Sequence, residues 1–165
     1  MPAIRYEEPG DVAAIHNVAR SAFPTEEEAI LIRNLRESGH LCVSLVAEEQ
    51  GYVIGHIAFS PVTINGQNGG LGLAPVSVKP EFQNKGIGGE LVSQGLLAAR
   101  RYGAGYVVVL GHSHYYPRFG FQNARALGFQ NEFGADESFM IIELEPGALP
   151  SGGLVKYGEE FQAWS

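Results

Sequence analysis

The sequence is poor in cysteine, in positive charge and in long apolar runs, and each shortage excludes a class of protein. Cys42 is the single cysteine, so no disulfide can form within the chain, and we expect a reducing, cytoplasmic location. Acidic residues outnumber basic ones by 18 to 11, for a net charge of −7. This balance argues against a nucleic-acid partner, which needs a basic face. No apolar run reaches the ~18 residues of a membrane span, so we expect no membrane partner.

What the chain does contain is the composition of an ordinary globular protein. Hydrophobic residues make up 45% of the 165 and charged residues 18%, which is enough apolar material for a single packed core. Stretches with helical and strand periodicity follow one another along the chain, without a repeat, a low-complexity tract or a linker. We therefore predict one α/β domain over residues 1–165.

The first forty residues predict an edge strand followed by two helices. Asp11 is expected to be the N-cap of the first helix. Thr25-Glu-Glu-Glu28 has the spacing of a capping box, with Thr25 as N-cap and Glu28 at the third helical position. We prefer this interpretation to an acidic rim that recruits an amine. Gly39 is expected to be the C-cap of the second helix.

Three strands should follow and form an antiparallel meander. They are predicted at 41–48, 52–64 and 71–78, joined by turns at 49–51 and 65–70. His56 lies in the middle strand, where we expect a packed or solvated side chain rather than a catalytic one.

A glycine-rich turn comes directly before the third predicted helix. Gly86-Ile-Gly88-Gly89 opens a periodic run that ends near Tyr102, and the apolar run at 106–110 then predicts a strand buried on both faces. Strand, helix and strand at this spacing predict a parallel βαβ unit. Backbone N–H groups at the start of a helix lack intrahelical partners, and the helix dipole adds positive charge there. The turn is therefore expected to bind an anion, most often a phosphate.

Two familiar phosphate-binding loops do not fit this turn. Leu91 stands where a dinucleotide fingerprint requires its third small residue. The chain has no glycine followed at P-loop spacing by Gly-Lys-Ser/Thr. A nucleotide-binding module of another kind stays open as a third interpretation, and it rests on the glycines alone.

The turn resembles the pyrophosphate-binding signature of the GNAT superfamily of acyl-CoA-dependent N-acyltransferases, which reads Gln/Arg-x-x-Gly-x-Gly/Ala. Here the signature is Gln83-Asn-Lys-Gly86-Ile-Gly88. The family also carries a tyrosine four residues before a Gly-Phe pair, which is matched by Tyr116 before Gly120-Phe121. The likeness covers residues 71–121 and is closest to the small bacterial branch of the family.

The resemblance implies the GNAT fold, a mixed and mostly antiparallel sheet with splayed central parallel strands and flanking helices. It also implies acetyl-CoA as cosubstrate, with the pantetheine arm paired to the strand before the turn and the pyrophosphate in the turn. At matching positions, the pantetheine partners are main-chain groups of Val76, Ser77 and Val78. The pyrophosphate partners are Gln83, Asn84, Lys85, Gly86, Ile87, Gly88 and Gly89.

The same resemblance gives Tyr116 the role of general acid. A phenol with a reference pKa of ~10 can protonate a leaving thiolate whose thiol has a pKa of ~8–9. The adjacent Tyr115 is the alternative donor, and a packed aromatic at the start of a short helix is the structural alternative for Tyr116.

The general base is less defined. Many family members use a glutamate on the strand before the turn, but residues 71–78 contain no carboxylate. His112 is the first candidate, although a surface or loop histidine is an equal interpretation. The family often has an asparagine at the position of Val109, and this departure weakens the match in this loop.

The hypothesis for function is transfer of an acetyl group from acetyl-CoA to a primary amine of a small molecule or peptide, by direct attack. No paired His, Cys or Asp residues have metal-ligand spacing, so no metal is expected. The alternative is a non-catalytic acyl-CoA-binding sensor or interaction domain with the same fold. The absence of the glutamate and of the asparagine supports this alternative.

The end of the chain bears on oligomeric state. The last clear strand is predicted at 139–144, and three aromatic residues follow it, Tyr157, Phe161 and Trp164. These side chains need burial against the core or against a second subunit, so a homodimer is one of two interpretations.

Overall fold

A computed structural model describes residues 1–164, with side chains described as far as Gln162. Within these residues three α-helices and nine β-strands are joined by turns and short 3-10 helices. The helices are α1 (Val12–Ala22), α2 (Glu27–Ser38) and α3 (Ile87–Tyr102). The strands are β1 (Ala3–Tyr6), β2 (Val43–Glu49), β3 (Tyr52–Ile64), β4 (Gln67–Val78), β5 (Tyr106–Leu110), β6 (Gln122–Asn123), β7 (Phe129–Asn131), β8 (Phe139–Glu143) and β9 (Gly153–Tyr157). The predicted α/β class is confirmed. In this described part, no helix combines the length and the apolar character needed to cross a membrane.

Two compact units divide the chain. The first holds Met1–Phe59 and Pro75–Ala98, and the second holds Ser60–Ala74 and the residues from Ala99 onward. Because the boundaries fall inside β3 and β4, each of these long strands contributes residues to both units. The glycine-rich turn belongs to the first unit, and Tyr116 belongs to the second.

Antiparallel strands and two packed helices form the first unit. β1 pairs with β2, starting with Ala3 opposite Glu48, and β2 pairs with β3, starting with Val43 opposite Phe59. The helices α1 and α2 repeat their apolar residues every three to four positions, so each presents one apolar face to the core. The buried residues of this core are Ile15, Val18, Ala19, Ala29, Ile32, Val46 and Val53.

The start of α2 differs from the predicted capping box. The chain bends over residues 23–26 before helical geometry begins at Glu27, and the Thr25 hydroxyl accepts a hydrogen bond from the N–H of Glu27 at 3.4 Å. Glu28 is therefore the second helical residue and not the third, and the capping prediction was wrong. One carboxylate oxygen of Glu28 is buried without a partner among the described residues. The other end of the helix follows the prediction, with Gly39 at a φ of 80° as its C-cap.

The second unit contains the parallel strand pair and the C-terminal strands. β4 pairs in parallel with β5, from Gly70 opposite Tyr106 to Leu73 opposite Val109, which confirms the predicted βαβ unit. β5 pairs antiparallel with β8, and β8 with β6. β9 pairs antiparallel with β3 and parallel with β7. The strands β6, β7 and β9 were not predicted, because they are short and lie among glycines and alanines that interrupt any alternation.

The turn between β3 and β4 is shorter than predicted. Asn65 and Gly66 have positive φ angles of 51° and 79°, and β4 starts at Gln67, earlier than expected. Two successive residues with positive φ are typical of a two-residue hairpin turn, for which Asn-Gly is a favoured pair. Gly70 is thus a strand residue, and a Cβ on it would overlap the ring of Tyr106.

Two of the three C-terminal aromatic side chains are buried within the chain. Tyr157 is 8% exposed and Phe161 is 2% exposed, and their ring centroids lie 4.9 Å apart. The side chain of Trp164 lies outside the described residues. Burial of Tyr157 and Phe161 therefore needs no second subunit.

Candidate functional site

The strand predicted to pair with pantetheine is the end of β4, in the first unit. Within Pro75–Val78 the side chain of Ser77 is buried, and its hydroxyl has no partner among the described residues. The N–H of Lys79 donates to the carbonyl of Ile54 at 2.9 Å, which fixes this end of β4 on β3. The ladder between β4 and β5 ends at Leu73, so Pro75–Val78 lies beyond the register of that ladder.

The glycine-rich turn leads directly into α3. Asn84 and Gly86 have positive φ angles of 62° and 84°, so the backbone reverses sharply before the helix. The first helical hydrogen bond runs from the N–H of Glu90 to the carbonyl of Gly86 at 3.1 Å. Helix geometry therefore leaves the N–H groups of residues 87–89 without intrahelical partners. A Cβ on Gly86 would meet no atom within 4 Å, so the turn is open on that side and can admit an anion.

The two polar side chains of the turn have different surroundings. The amide of Gln83 donates to the carbonyl of Val78 at 2.9 Å, so the side chain expected to help hold the pyrophosphate ties the turn to β4. The ammonium of Lys85 lies 5.6 Å from the centroid of the Phe82 ring. It adds a positive charge to an end of the helix that already favours anions.

In the second unit, Tyr116 begins a short 3-10 helix, Tyr116–Phe119, soon after β5. The side chain is 7% exposed, and its ring stands edge-on to Phe121 at a centroid distance of 5.6 Å. Gly111 makes room for it, because a Cβ on Gly111 would overlap the Tyr116 ring. The phenol is thus held on several sides by residues of its own unit.

Burial keeps this phenol protonated. It raises the pKa of Tyr116 to about 12, and the phenol of Tyr115 acts in the same direction. Tyr115 is half-buried and its ring lies under the Arg118 guanidinium, at 4.5 Å from the centroid. Burial raises the pKa of Tyr115 and the charge of Arg118 opposes the rise. Of the two candidate acids, Tyr116 is the more deeply buried.

His112 lies at the surface, where the chain leaves β5. Its side chain is exposed, as is that of His114. Its carbonyl accepts the N–H groups of Tyr115 at 3.0 Å and of Tyr116 at 3.3 Å, so the backbone of His112 positions the tyrosine pair. Among the described residues, no group of three or more His, Cys, Asp or Glu side chains could hold a metal ion.

His56 is a packed side chain of β3, as predicted. It is fully buried, with its Nε2 2.8 Å from the Ser44 hydroxyl. That hydroxyl also lies 2.6 Å from Oε1 of Glu7. A carboxylate can only accept, so Ser44 donates to Glu7 and accepts from the Nε2–H of His56. Burial, and then the positive charge of Arg36, lower the pKa of His56 to about 3, so the imidazole is neutral at pH 7.

The sequence predicted that the Tyr157 side chain needs burial, but not that it would lie against β4. Its ring covers Gly72 on β4, where a Cβ would come within 2.7 Å of the ring's Cε2. Its hydroxyl is buried without a hydrogen-bond partner among the described residues. A glycine in the middle of a strand often marks close approach by another group, and that signal at Gly72 could have pointed to an aromatic ring from elsewhere in the chain.

Comparison with known proteins places this arrangement in a family. A model described as "Acetyltransferase (GNAT) domain" matches residues 40–123. The uncharacterized N-acetyltransferase YhbS of Escherichia coli K12 is 37% identical over 162 residues, covering 96% of this chain and 97% of the relative.

Solved structures agree with the sequence relatives. The structure of YhbS from Escherichia coli in complex with CoA has a TM-score of 0.94 and 36% identity, covering 99% of this chain and 93% of the other. A GNAT family acetyltransferase from Brucella melitensis in complex with acetyl-CoA has a TM-score of 0.84 and 39% identity, covering 98% of this chain and 99% of the other. The predicted family and fold are confirmed, and the chain belongs to the GNAT acetyltransferases.

Proposed function

We propose that this acyltransferase moves the acetyl group of acetyl-CoA to a primary amine by direct attack of the amine on the thioester. The observation that carries the proposal is the open turn at the start of α3, where three N–H groups at residues 87–89 have no intrahelical partner. The helix dipole adds positive charge at the same place, which suits a pyrophosphate. The relatives solved with CoA and acetyl-CoA support the same ligand here.

The turn and the end of β4 would share the cosubstrate between them. Main-chain groups of Lys85, Gly86, Ile87, Gly88 and Gly89 bind the pyrophosphate, with Asn84 and Gln83 at the edge of the turn. Main-chain groups of Val76, Ser77 and Val78 pair with the pantetheine arm, and an N–H there polarises the thioester carbonyl. The support for this pairing is that the β5 ladder stops at Leu73, so an extended ligand can take up the pairing instead.

Tyr116 is the general acid of the proposed reaction. The amine nitrogen forms a bond to the carbonyl carbon, the bond from carbon to sulfur breaks, and the sulfur takes the proton of the phenol. Burial that raises the pKa of Tyr116 to about 12 makes the phenol a weaker acid than in water. The same desolvation disfavours the leaving thiolate and raises the pKa of its thiol, so the two groups stay matched.

His112 is the proposed base that takes the proton of the attacking amine. It is exposed and lies four residues before the acid, so a proton can pass from it to solvent. The acceptor class is a small-molecule or peptide amine, and the enzyme works in the cytoplasm.

Calorimetry with acetyl-CoA tests the cosubstrate site. Gly88→Glu places a carboxylate among the N–H groups of the turn and should abolish binding. Ser93→Glu adds the same charge on the exposed side of the same helix and should bind as the wild type does. Absence of wild-type binding at millimolar acetyl-CoA would overturn the proposal together with the sensor alternative.

Thiol release across a panel of primary amines then separates an enzyme from a sensor, because a sensor binds acetyl-CoA and releases no CoA. With an active amine, Tyr116→Phe should keep the acetyl-CoA affinity and lose about 100- to 10,000-fold in kcat, the range of general acid catalysis. Undiminished turnover in Tyr116→Phe would remove Tyr116 from this role, and Tyr115→Phe would then be measured in the same assay.

A further inference from the structure

A groove runs between α1 and α2, in the first unit. A short turn at residues 23–26 joins the two helices, which pack on each other as antiparallel neighbours. The residues that line the groove come from 9–17 and from 29–37, so it lies away from that turn. Its volume is about 740 Å³, within the range of ~300–1,000 Å³ that is typical of small-molecule sites. The lining residues are all different from those proposed to take part in acetyl transfer.

The floor of the groove is apolar. Ala13 on α1 and Ala29 on α2 line it with short side chains, which leave space between the helices. Ile15 and Ile32 also line it, at 0% and 2% exposure, so the groove reaches down to the core. Val12 adds an apolar side chain that is 42% exposed. A ligand with an apolar group would remove this surface from water, which favours binding.

The rim of the groove carries charge of both signs. Arg33, Arg36 and Glu37 line it from α2. Arg36 is already paired with Glu7. Arg33 and Glu37 are exposed, and within the described part of the chain neither of them makes an ion pair. The rim therefore offers one positive and one negative side chain to a ligand.

The spacing of these two side chains decides which ligand suits them. Arg33 and Glu37 lie four residues apart in α2, so they are neighbours on one helix face, with their Cβ atoms about 5–6 Å apart. In this order, with the cation before the anion, such a pair stabilises a helix less than in the reverse order. A ligand with a carboxylate alone would be repelled by Glu37, and a ligand with an ammonium alone would be repelled by Arg33. A zwitterion satisfies both side chains.

We propose that the groove binds a zwitterionic α-amino acid with a large apolar side chain. The Arg33 guanidinium donates hydrogen bonds to the carboxylate of the ligand, and the ammonium of the ligand donates to the carboxylate of Glu37. The apolar side chain of the ligand lies on Ile15 and Ile32. Because both charged groups of an amino acid are attached to one carbon, they can contact two side chains that are one helical turn apart.

Calorimetry in the absence of acetyl-CoA tests the proposed ligand class. L-phenylalanine is the probe, and its two analogues are 3-phenylpropionate, which lacks the ammonium, and 2-phenylethylamine, which lacks the carboxylate. L-phenylalanine should bind saturably. Each analogue should bind at least about tenfold more weakly, because it loses one hydrogen-bonded charged contact.

Two variants with matched controls assign each charged group of the ligand. Arg33→Gln should weaken L-phenylalanine by about tenfold and should not weaken 2-phenylethylamine, which has no carboxylate to lose. Glu37→Gln should weaken L-phenylalanine to a similar extent and should not weaken 3-phenylpropionate. Arg101→Gln on α3 and Glu27→Gln on α2 remove the same charges at exposed positions outside the groove, and both should bind L-phenylalanine as the wild type does.

A third variant tests the groove itself. Ala13 is exposed, so Ala13→Phe should fold, and its ring should occupy the groove and abolish binding of L-phenylalanine. Ser93→Phe adds the same ring at an exposed position on α3 and should leave binding unchanged. Circular dichroism of the two variants checks that both are folded.

The outcomes separate this proposal from the proposed function. Absence of wild-type binding at millimolar L-phenylalanine would overturn the amino-acid site. Unchanged binding in Ala13→Phe would also overturn it, because the ligand would then lie elsewhere, for example at the acceptor position of acetyl transfer. Equal weakening of L-phenylalanine and 2-phenylethylamine by Arg33→Gln would overturn the contact between Arg33 and the carboxylate. Each of these results leaves the measurements on acetyl-CoA binding and thiol release as they stand.

Discussion

The Ser44 hydroxyl bridges His56 and Glu7, at 2.8 Å from Nε2 of the histidine and 2.6 Å from Oε1 of the glutamate. Glu7 is also paired with Arg36 of α2. The chain of contacts therefore links β2, β3, the end of β1 and a helix within the first unit. Because the imidazole is fully buried, its polar atoms cannot turn to water if the bridge is lost.

Ser44→Ala should lower the free energy of unfolding by about 1–3 kcal/mol, the cost of leaving a buried polar group without its partner. Urea unfolding followed by circular dichroism measures the change. Ser93→Ala is the matched control, because Ser93 is exposed on α3, and it should stay within about 0.5 kcal/mol of wild type. A Ser44→Ala variant as stable as this control would show that the bridge contributes nothing to folding.

Stability should fall in mild acid because of His56. Its pKa is lowered from 6.5 to about 3 in the folded protein, so between these values the unfolded chain binds a proton that the folded chain does not. The free energy of unfolding therefore decreases as the pH falls below 6.5, by up to about 1.4 kcal/mol per pH unit.

His56→Gln isolates this effect, since glutamine keeps a donor but does not titrate. The difference in unfolding free energy between wild type and His56→Gln, measured in urea from pH 7.5 to pH 4.5, should shrink steadily below pH 6.5. The Asp and Glu side chains titrate equally in both proteins, so their contributions cancel in the difference. Parallel curves would mean that His56 is protonated in the folded protein too.

Much of the fold could be predicted from local pattern. The strand at 106–110 and the helix that ends at Tyr102 were predicted with the bounds that the structure has or within one residue, because a continuous apolar run and a regular helical repeat leave few alternatives. Gly39 was placed correctly for the same kind of reason, since the left-handed conformation favours glycine.

What could not be predicted depends on contacts between distant residues. In sequence, the strand that ends at Tyr157 is part of a short tail with aromatic side chains. Its pairing with Val62 depends on β3, which lies far away in the chain, and not on any local signal. The Gln83 side chain was assigned to the ligand from a motif, whereas its bond to Val78 follows from the path of the backbone. A motif therefore predicts which residue types a turn contains, whereas the partner of each side chain can be identified only from the folded structure.

Gly86 and Gly39 offer a test of whether the turn binds the cosubstrate. Their φ angles are 84° and 80°, and a Cβ on either would meet no atom within 4 Å. Alanine at each position should therefore cost a similar amount of stability, about 1 kcal/mol, from backbone strain alone. Because the turn also approaches the pyrophosphate in the proposed complex, Gly86→Ala should weaken acetyl-CoA binding by about tenfold or more, equivalent to about 1.4 kcal/mol.

Calorimetry on the two glycine variants gives the comparison directly. Gly39→Ala should bind acetyl-CoA with wild-type affinity, since Gly39 caps α2 and is not part of the turn. Equal acetyl-CoA affinities for the two variants would show that the turn does not bind the cosubstrate, whatever the stabilities of the variants.

Gly111→Ala should impair turnover through Tyr116. The new Cβ would overlap the Tyr116 ring, and this ring must move, since Gly111 is fixed by its N–H bond to the carbonyl of Ser138 at 2.9 Å. Misplacement of a reacting group by about 1 Å can cost on the order of 100-fold in rate, so kcat in the thiol-release assay should fall while acetyl-CoA affinity stays near wild type. Adding Gly111→Ala to Tyr116→Phe should then change kcat little, because both variants remove the same proton donor. Fully additive losses would show that Gly111 acts on the reaction by another route than the phenol.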